Sequence, residues 1–348
     1  MSALTPEFMF DLESNMKVIT ANEYQRLLKN LWWEKVAKRI NSISKKERIS
    51  WLLDDAKIER TSKTGGRVTF EDIVGATTEY ENEDAAAGLK LTRNQLTDYE
   101  NGVPGGEGIR LAAHWSRQMG AYAAYWPQKM VADAIKANPT TYDGKPFFAT
   151  DHPVNPYDPS AGTYANLFTG AASGSYPGAL PIGGATTIET ALENLGKAVA
   201  YIASIKMPNG EDPRKLRVTG IIVPPALMVR ATQLTNAKFI AQSAASGAIS
   251  GDVEAVVSWL GLGQPIQADE LGAAFGGSDT DYYLLAEEIT SDELGAFAYV
   301  DREPFTINYH GPMTSAELDR KDEFQWTTKG RNTVGPGHPY RLFKCSAT

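Results

Sequence analysis

The sequence predicts an α+β chain organised on one long helix. Two observations carry this. Leu111, Trp115, Met119, Tyr122, Trp126 and Met130 recur at spacings of three and four within residues 109–137, which puts them on one helical face. Runs with strand character then gather in the second half of the chain, at 216–223, 282–286, 296–300 and 305–309.

Residues 1–18 read as an arm, and Thr20 and Glu23 as a capping box. Tyr24, Leu27, Leu28, Leu31, Trp32, Val36 and Ile40 then follow at helical spacing, with Arg26, Lys29, Lys35, Lys38 and Arg39 opposite. This is a basic amphipathic helix, packed on its own domain or laid under a neighbour. Residues 56–97 lack helical periodicity and carry few large apolar residues. Lys57, Arg60, Lys63 and Arg67 make the first part basic; Glu79, Glu81, Glu83 and Asp84, with Glu71 and Asp72, make the rest acidic. Residues 67–70 and 89–93 alternate as strands do, and Thr64-Gly65-Gly66 is a turn signal. The region reads as an extended, charge-segregated β-loop or as a solvated loop. A lone hairpin is marginal in water, so such an arm needs a partner surface.

Val103 to Gly108 is a breaker without the Gly-Lys-Ser/Thr ending of a phosphate loop. The helix over 109–137 spans roughly 40 Å at 1.5 Å per residue, and Pro127 should kink it near Ala123. Residues 155–187, rich in Gly, Ala, Ser, Pro and Tyr, form a long loop. From Thr187 a second module starts: a helical stripe of Ile188, Leu192, Leu195, Val199 and Ile202, a buried strand at 216–223, a short helix opened by Pro224 and Pro225, small residues at 244–251, an apolar run at 253–262, and a strand at 282–286. Residues 301–304 then read as a hairpin turn between the strands at 296–300 and 305–309, and the runs around Phe324–Trp326 and Tyr340–Phe343 as further strands of a sheet beneath the long helix.

Immediately after the long helix come Tyr142, Asp143, Gly144, Lys145, Pro146, Phe147 and Phe148, then Asp151, His152 and Pro153. Asp143-Gly144 is a turn dipeptide, Lys145-Pro146 stops a helix, and the two Phe return to the core. This string, in this position, resembles the major head subunit family of Mu-like phages and prophages. The resemblance implies the tailed-phage, Hong-Kong-97-type capsid fold: a peripheral domain (51–55, 98–186 and 290–348, with spine helix 109–137), an axial domain (187–289), an extended β-loop (56–97) that lies over an adjacent subunit, and an N-terminal arm and helix (1–50). It implies hexamers and pentamers of a DNA-filled icosahedral shell, a portal, a separate scaffold and prohead protease, and room for a decoration protein. It implies no cofactor and no catalysis, in a virion assembled in the host bacterial cytoplasm. An encapsulin-like or gene-transfer shell shares these features.

Composition agrees with that reading. A net charge of −8 with pI near 5.2 argues against a protein that coats DNA by charge neutralisation and suits a shell that touches packed DNA non-specifically. The single cysteine, Cys345, excludes an intrachain disulfide and a cysteine-based metal cluster. No 18-residue apolar run is long enough to span a membrane. His114, His152, His310 and His338 show no metal-ligand spacing, and no nucleophile elbow of the form Gly-x-Ser-x-Gly occurs. The remaining enzyme alternative would place a site at Asp151 and His152, beside the Gly-rich loop.

Overall fold

The computed structural model describes residues 4–53, 74–100, 107–236, 242–243, 249–250, 262–288, 295–311, 314–318 and 320–347. The breaker at 103–106 and nearly all of the 244–251 and 253–262 runs lie outside these residues, as do Lys57, Arg60, Lys63 and Arg67.

The chain begins with helix α1 (Pro6–Leu27), which starts well before the expected capping box. Thr5 caps it by accepting from the Phe8 amide at 3.2 Å, and Pro6 sits where its missing N–H costs nothing. Thr20 is therefore mid-helix. Its hydroxyl donates to Met16 O (2.9 Å) and Ser116 O (3.0 Å). The helix expected through Ile40 ends at Leu27. Trp33–Lys35 forms a 3-10 turn, and β1 (Ala37–Asn41) follows, parallel to a distant strand. Its apolar residues fit a strand as well as a helix over so short a run, and pairing across the sheet decided the outcome.

The next strands are β2 (Lys46–Leu53), β3 (Val74–Glu81) and β4 (Glu83–Thr92). Helices α2 (Arg93–Glu100) and α3 (Glu107–Ala137) follow, α3 running on through Pro127. Then come the short strands β5 (His152–Pro153), β6 (Thr163–Tyr164) and β7 (Leu167–Phe168), helix α4 (Ile188–Ala203), β8 (Leu216–Val223), α5 (Pro225–Asn236), β9 (Gln242–Ser243), β10 (Ile249–Ser250), β11 (Ile266–Gln267), β12 (Tyr282–Glu288), β13 (Phe297–His310), β14 (Glu323–Pro336) and β15 (Leu342–Cys345).

Two sheets result. The first has the order β1-β13-β14-β4 and the second β11-β8-β12-β15-β7. The expected hairpin turn at 301–304 is not a turn. β13 continues through it as one strand, absorbing the irregular residues as register shifts at Asp301/Glu303 and Glu303/Thr306. The C-terminal strand was expected beneath the long helix with the first sheet; instead β15 pairs β12 and β7 in the second. One face of that second sheet packs on α4 and α5 through Ile221, Val223, Tyr282, Leu284 and Phe343. The alternate residues Ile222, Tyr283, Leu285 and Leu342 face a core shared with Val131 and Ile135 of α3 and Phe297 of the first sheet. Strand periodicity thus makes one sheet serve two cores.

The face of α3 that is buried is not the whole stripe of large residues. Leu111 and Tyr122 are 41% and 63% exposed, while Ala112, Ser116, Ala124 and Ala132 are buried. The stripe drifts around the helix, and small residues take its place where α1 and the sheets come close. The closest approach is Gly120: a Cβ there would lie 2.5 Å from Thr20 O and 2.9 Å from Glu23 Cβ. Gly120→Val should force the two helices apart and cost about 1–3 kcal/mol, as overpacking generally does. Urea unfolding of the unassembled subunit measures this, and Gly120→Ala should fall in between.

Candidate assembly site

β2 and β3 pair along their whole length, from Lys46↔Glu81 to Leu53↔Val74, and among the described strands they form a sheet of their own. The base of this hairpin is fixed. Tyr80 lies against Gly335, where a Cβ would come within 1.7 Å of its ring, and its hydroxyl donates to Pro336 O at 2.5 Å. Asn82 and Ser42 tie the two ends of the hairpin together, Asn82 Nδ2 donating to Ser44 O at 3.0 Å.

The acidic residues of the arm divide by partner. Glu79 pairs with Lys46 (2.7 Å) and Arg48 (3.1 Å), and Glu81 with Lys45 (2.8 Å), so both are matched across their own hairpin. Asp84 pairs with Arg331 (2.5 Å) and Lys329 (3.5 Å) of β14. Glu83 is exposed at the start of β4. These exposed pairs are screened by solvent and contribute little to stability. The sequence reading missed Lys45, Lys46, Arg48 and Arg331 as the partners. The cross-strand register that brings them opposite the acids has no short-range signal.

The string after α3 forms a buried elbow. Asn138 adopts φ +49° and closes the helix. Its side chain then acts as a backbone surrogate, accepting from Phe148 N at 2.6 Å and donating to Phe148 O at 3.2 Å. Gly144 takes φ +78° in the tight turn, with Thr141 N donating to Lys145 O at 2.8 Å. Phe147 stacks on Phe297 at 4.4 Å, Phe148 meets Tyr283 at 5.8 Å, and Tyr142 packs on Ala298 and Val300 on the opposite face of β13. The elbow therefore grips β13 from both sides.

Its polar atoms are consumed internally. Asp143 Oδ2 lies 2.6 Å from His152 Nδ1, and His152 Nε2 lies 3.0 Å from Phe147 O, with His152 and Asp143 side chains 0% and 1% exposed. Asp151 points elsewhere, to Lys145 Nζ at 2.5 Å. Asp151 and His152 thus do not converge on a common point. Pro146 and Pro153 shape the chain, Pro146 bridging to Thr140 and Pro153 ending β5. No group of His, Cys, Asp and Glu suited to a metal exists among the described residues, and no described helix is long and apolar enough to cross a membrane. Asn166, which no motif flagged, donates to Phe147 O (2.6 Å) and Pro339 O (3.0 Å) and accepts from Ala149 N (2.9 Å).

Burial disfavours ionised Asp143, but hydrogen bonds from His152 and Thr141 outweigh it and hold the carboxyl below its ordinary value. A lowered folded pKa means the stabilisation is complete above the unfolded value of about 3.9 and is lost as pH falls through the folded one. Asp143→Asn should therefore cost about 1–3 kcal/mol at pH 7 and flatten the acid limb of the stability profile, read by urea unfolding between pH 7 and pH 3.

Residues 14–177, a little under half of the chain, match the family described as Mu-like prophage major head subunit gpT. No curated protein matches the chain. Among solved structures, the capsid of cyanophage P-SCSP1u superposes with a TM-score of 0.51 at 14% identity, covering 91% of this chain and 88% of that one. A phage-related protein from Bordetella bronchiseptica RB50 gives 0.51 at 12% identity, covering 94% and 96%. The bacteriophage JBD30 capsid gives 0.44 at 14% identity; the match takes in 90% of this chain but spans only 63% of that one. Residues 14–177 are thus similar to the Mu-like prophage major head subunits, and the chain has the fold of phage capsid proteins.

Proposed function

We propose that this chain is the major capsid subunit of a phage-type head, assembling as hexamers and pentamers into an icosahedral shell around double-stranded DNA. The observation that carries the proposal is the hairpin arm in a chain related to head subunits. β2 and β3 are anchored at their base by Tyr80 and otherwise pair only with each other among the described strands. Two strands alone bury too little to be independently stable, so a neighbouring subunit is the natural cover. Rings of heterologous contacts that close around symmetry axes turn such an arm into a shell-building device.

The basic residues Lys57, Arg60, Lys63 and Arg67 belong in this reading at the neighbour contact, where complementary charge sets register more than affinity. Glu79, Glu81 and Asp84 contribute by holding the arm's own shape, through the pairs described above. The net charge of −8 lets the inner surface meet packaged DNA without condensing on it. A scaffold, a prohead protease, a portal and, where present, a decoration protein complete the assembly as separate chains. The place of work is the virion, built in the bacterial cytoplasm. The elbow at 142–153 has a structural role here: it fixes the end of the long helix to both sheets.

Negative-stain electron microscopy of the purified protein, with scaffold supplied, should show shells, tubes or rings of five or six. A subunit that stays monomeric with scaffold present overturns the reading. Reversing Arg60, Lys63 and Arg67 to Glu should leave the subunit folded by circular dichroism and abolish shells. Normal particles from that variant would remove the arm from the assembly mechanism.

A further inference from the structure

We infer that His152 carries a proton on both ring nitrogens in the folded subunit, and that the buried pair it forms with Asp143 is an alkali-sensitive latch on the junction between the two sheets. The latch belongs to the single subunit and does not depend on shell assembly.

The charge state follows from what each neighbouring atom can do. The Phe147 carbonyl, 3.0 Å from His152 Nε2, can only accept, and it already takes a second bond from Asn166 Nδ2. Asp143 is an acceptor too. Its Oδ1 receives the Thr141 hydroxyl and, at 3.0 Å, the Lys145 amide, while its Oδ2 lies 2.6 Å from His152 Nδ1. Burial opposes the ionised carboxyl, yet the bonds from His152 and Thr141 keep it ionised. Neither neighbour therefore has a hydrogen to give. A neutral imidazole has one N–H and one bare lone pair, and it would turn that lone pair on one of the two oxygens. The imidazolium satisfies both.

His338 supplies the contrast. Burial, with Arg341 and Arg214 nearby, pushes it down to about 3, so it stays neutral. His152 is as well buried but has a carboxylate beside it instead of guanidinium groups. The other groups around the latch do not titrate with it. The Tyr164 ring stacks on His152 at 5.3 Å, and Tyr142 precedes Asp143. Burial holds both phenols, and that of Tyr340, above their ordinary value and so uncharged. Arg214 acts on all three tyrosines and lies 3.8 Å over the Tyr340 ring. Lys145 and Asp151 pair with each other at 2.5 Å in an exposed position.

The pair sits where the fold is joined. Phe147, whose carbonyl His152 holds, stacks on Phe297 of the first sheet, and Phe148 meets Tyr283 of the second. If His152 loses one proton, a carboxylate 1% exposed is left without its counter-charge, or a lone pair faces the Phe147 carbonyl. The pH dependence is the reverse of that of Asp143. A cation that gains its partner on folding stabilises fully below the ordinary imidazole value of about 6.5, and the stabilisation is lost as pH rises through the folded value. Asp143 thus sets the acid limit of the latch and His152 the alkaline one.

The test is NMR of the intact chain with 15N-labelled histidine at pH 8, where an ordinary imidazole is neutral. One of the four histidines should show both ring nitrogens protonated. Four singly protonated rings overturn the proposal. Asp143→Asn should abolish the doubly protonated signal, because its amide can donate to a neutral His152 Nδ1 while Nε2–H still serves Phe147 O. Urea midpoints give a second readout. The wild-type midpoint should fall between pH 7 and pH 9, and that of Asp143→Asn should stay level. Parallel falls in the two proteins also overturn the latch. If Asp143→Asn does not fold, the wild-type spectrum still decides.

Discussion

The stack of Phe147 on Phe297 is the contact on which the rest of the molecule depends. It joins the end of the long helix to the first strand of the first sheet's central hairpin, while the neighbouring Phe148 meets Tyr283 of the second sheet. The two sheets are built from strands far apart in sequence, and they share no strand. What they share is the core around these rings, with Val131 and Ile135 of α3 and Leu285 and Leu342 of the second sheet. Asn166 secures the same point from the polar side, binding the Phe147 and Pro339 carbonyls and so holding the C-terminal segment against the elbow. Buried carbonyls left without such a donor would each cost about 1–3 kcal/mol, which makes one asparagine a fastener for three chain segments.

With that junction rigid, the arm can be built differently. Its anchor is small: the Tyr80 ring over Gly335 and a few bonds from Asn82 and Ser42. Its ion pairs are exposed and weakly stabilising. Among the described residues the hairpin is held firmly at its base and only by its own pairing beyond it, which in the proposed shell leaves its surface for a neighbouring subunit. Stability and association are thereby separated between two parts of the chain, so that changes in the arm need not unfold the core.

Much of this was legible in the sequence where the signal was local. The long helix, the turn at Asp143-Gly144 and the strands 216–223 and 282–286 are marked by periodicity and breakers, and each forms close to where it was expected. The errors share a cause. Residues 31–40 fit a helix by spacing, yet they carry a strand because β13 offers a parallel partner more than 250 residues away. Residues 301–304 look like a turn, yet two bulges let one strand pass through them. The C-terminal strand joins the second sheet because Leu342 must face one core and Phe343 the other. In the elbow, the enzyme alternative paired Asp151 with His152; His152 instead bonds Asp143 inside the elbow, and Asp151 turns to Lys145. Long-range pairing decided the three strand cases, and no window of sequence contains it.

The first sheet shows how one surface is divided between folding and association. Along β4 and β14 the helix-facing residues descend from Trp326 and Leu91 to Gly330, Ala87 and Ala85. If the large residues continued to the end, α3 would seal the sheet and the subunit would be more stable alone. If the small residues began earlier, the core under α1 and α3 would lose the side chains that hold it. The taper places the change under the middle of α3, beyond Met119, after the helix crossing at Gly120 has been secured. A subunit that must be soluble by itself and adhesive in company needs its unfinished core at an edge rather than at its centre, and the order of side chains in these two strands puts it there.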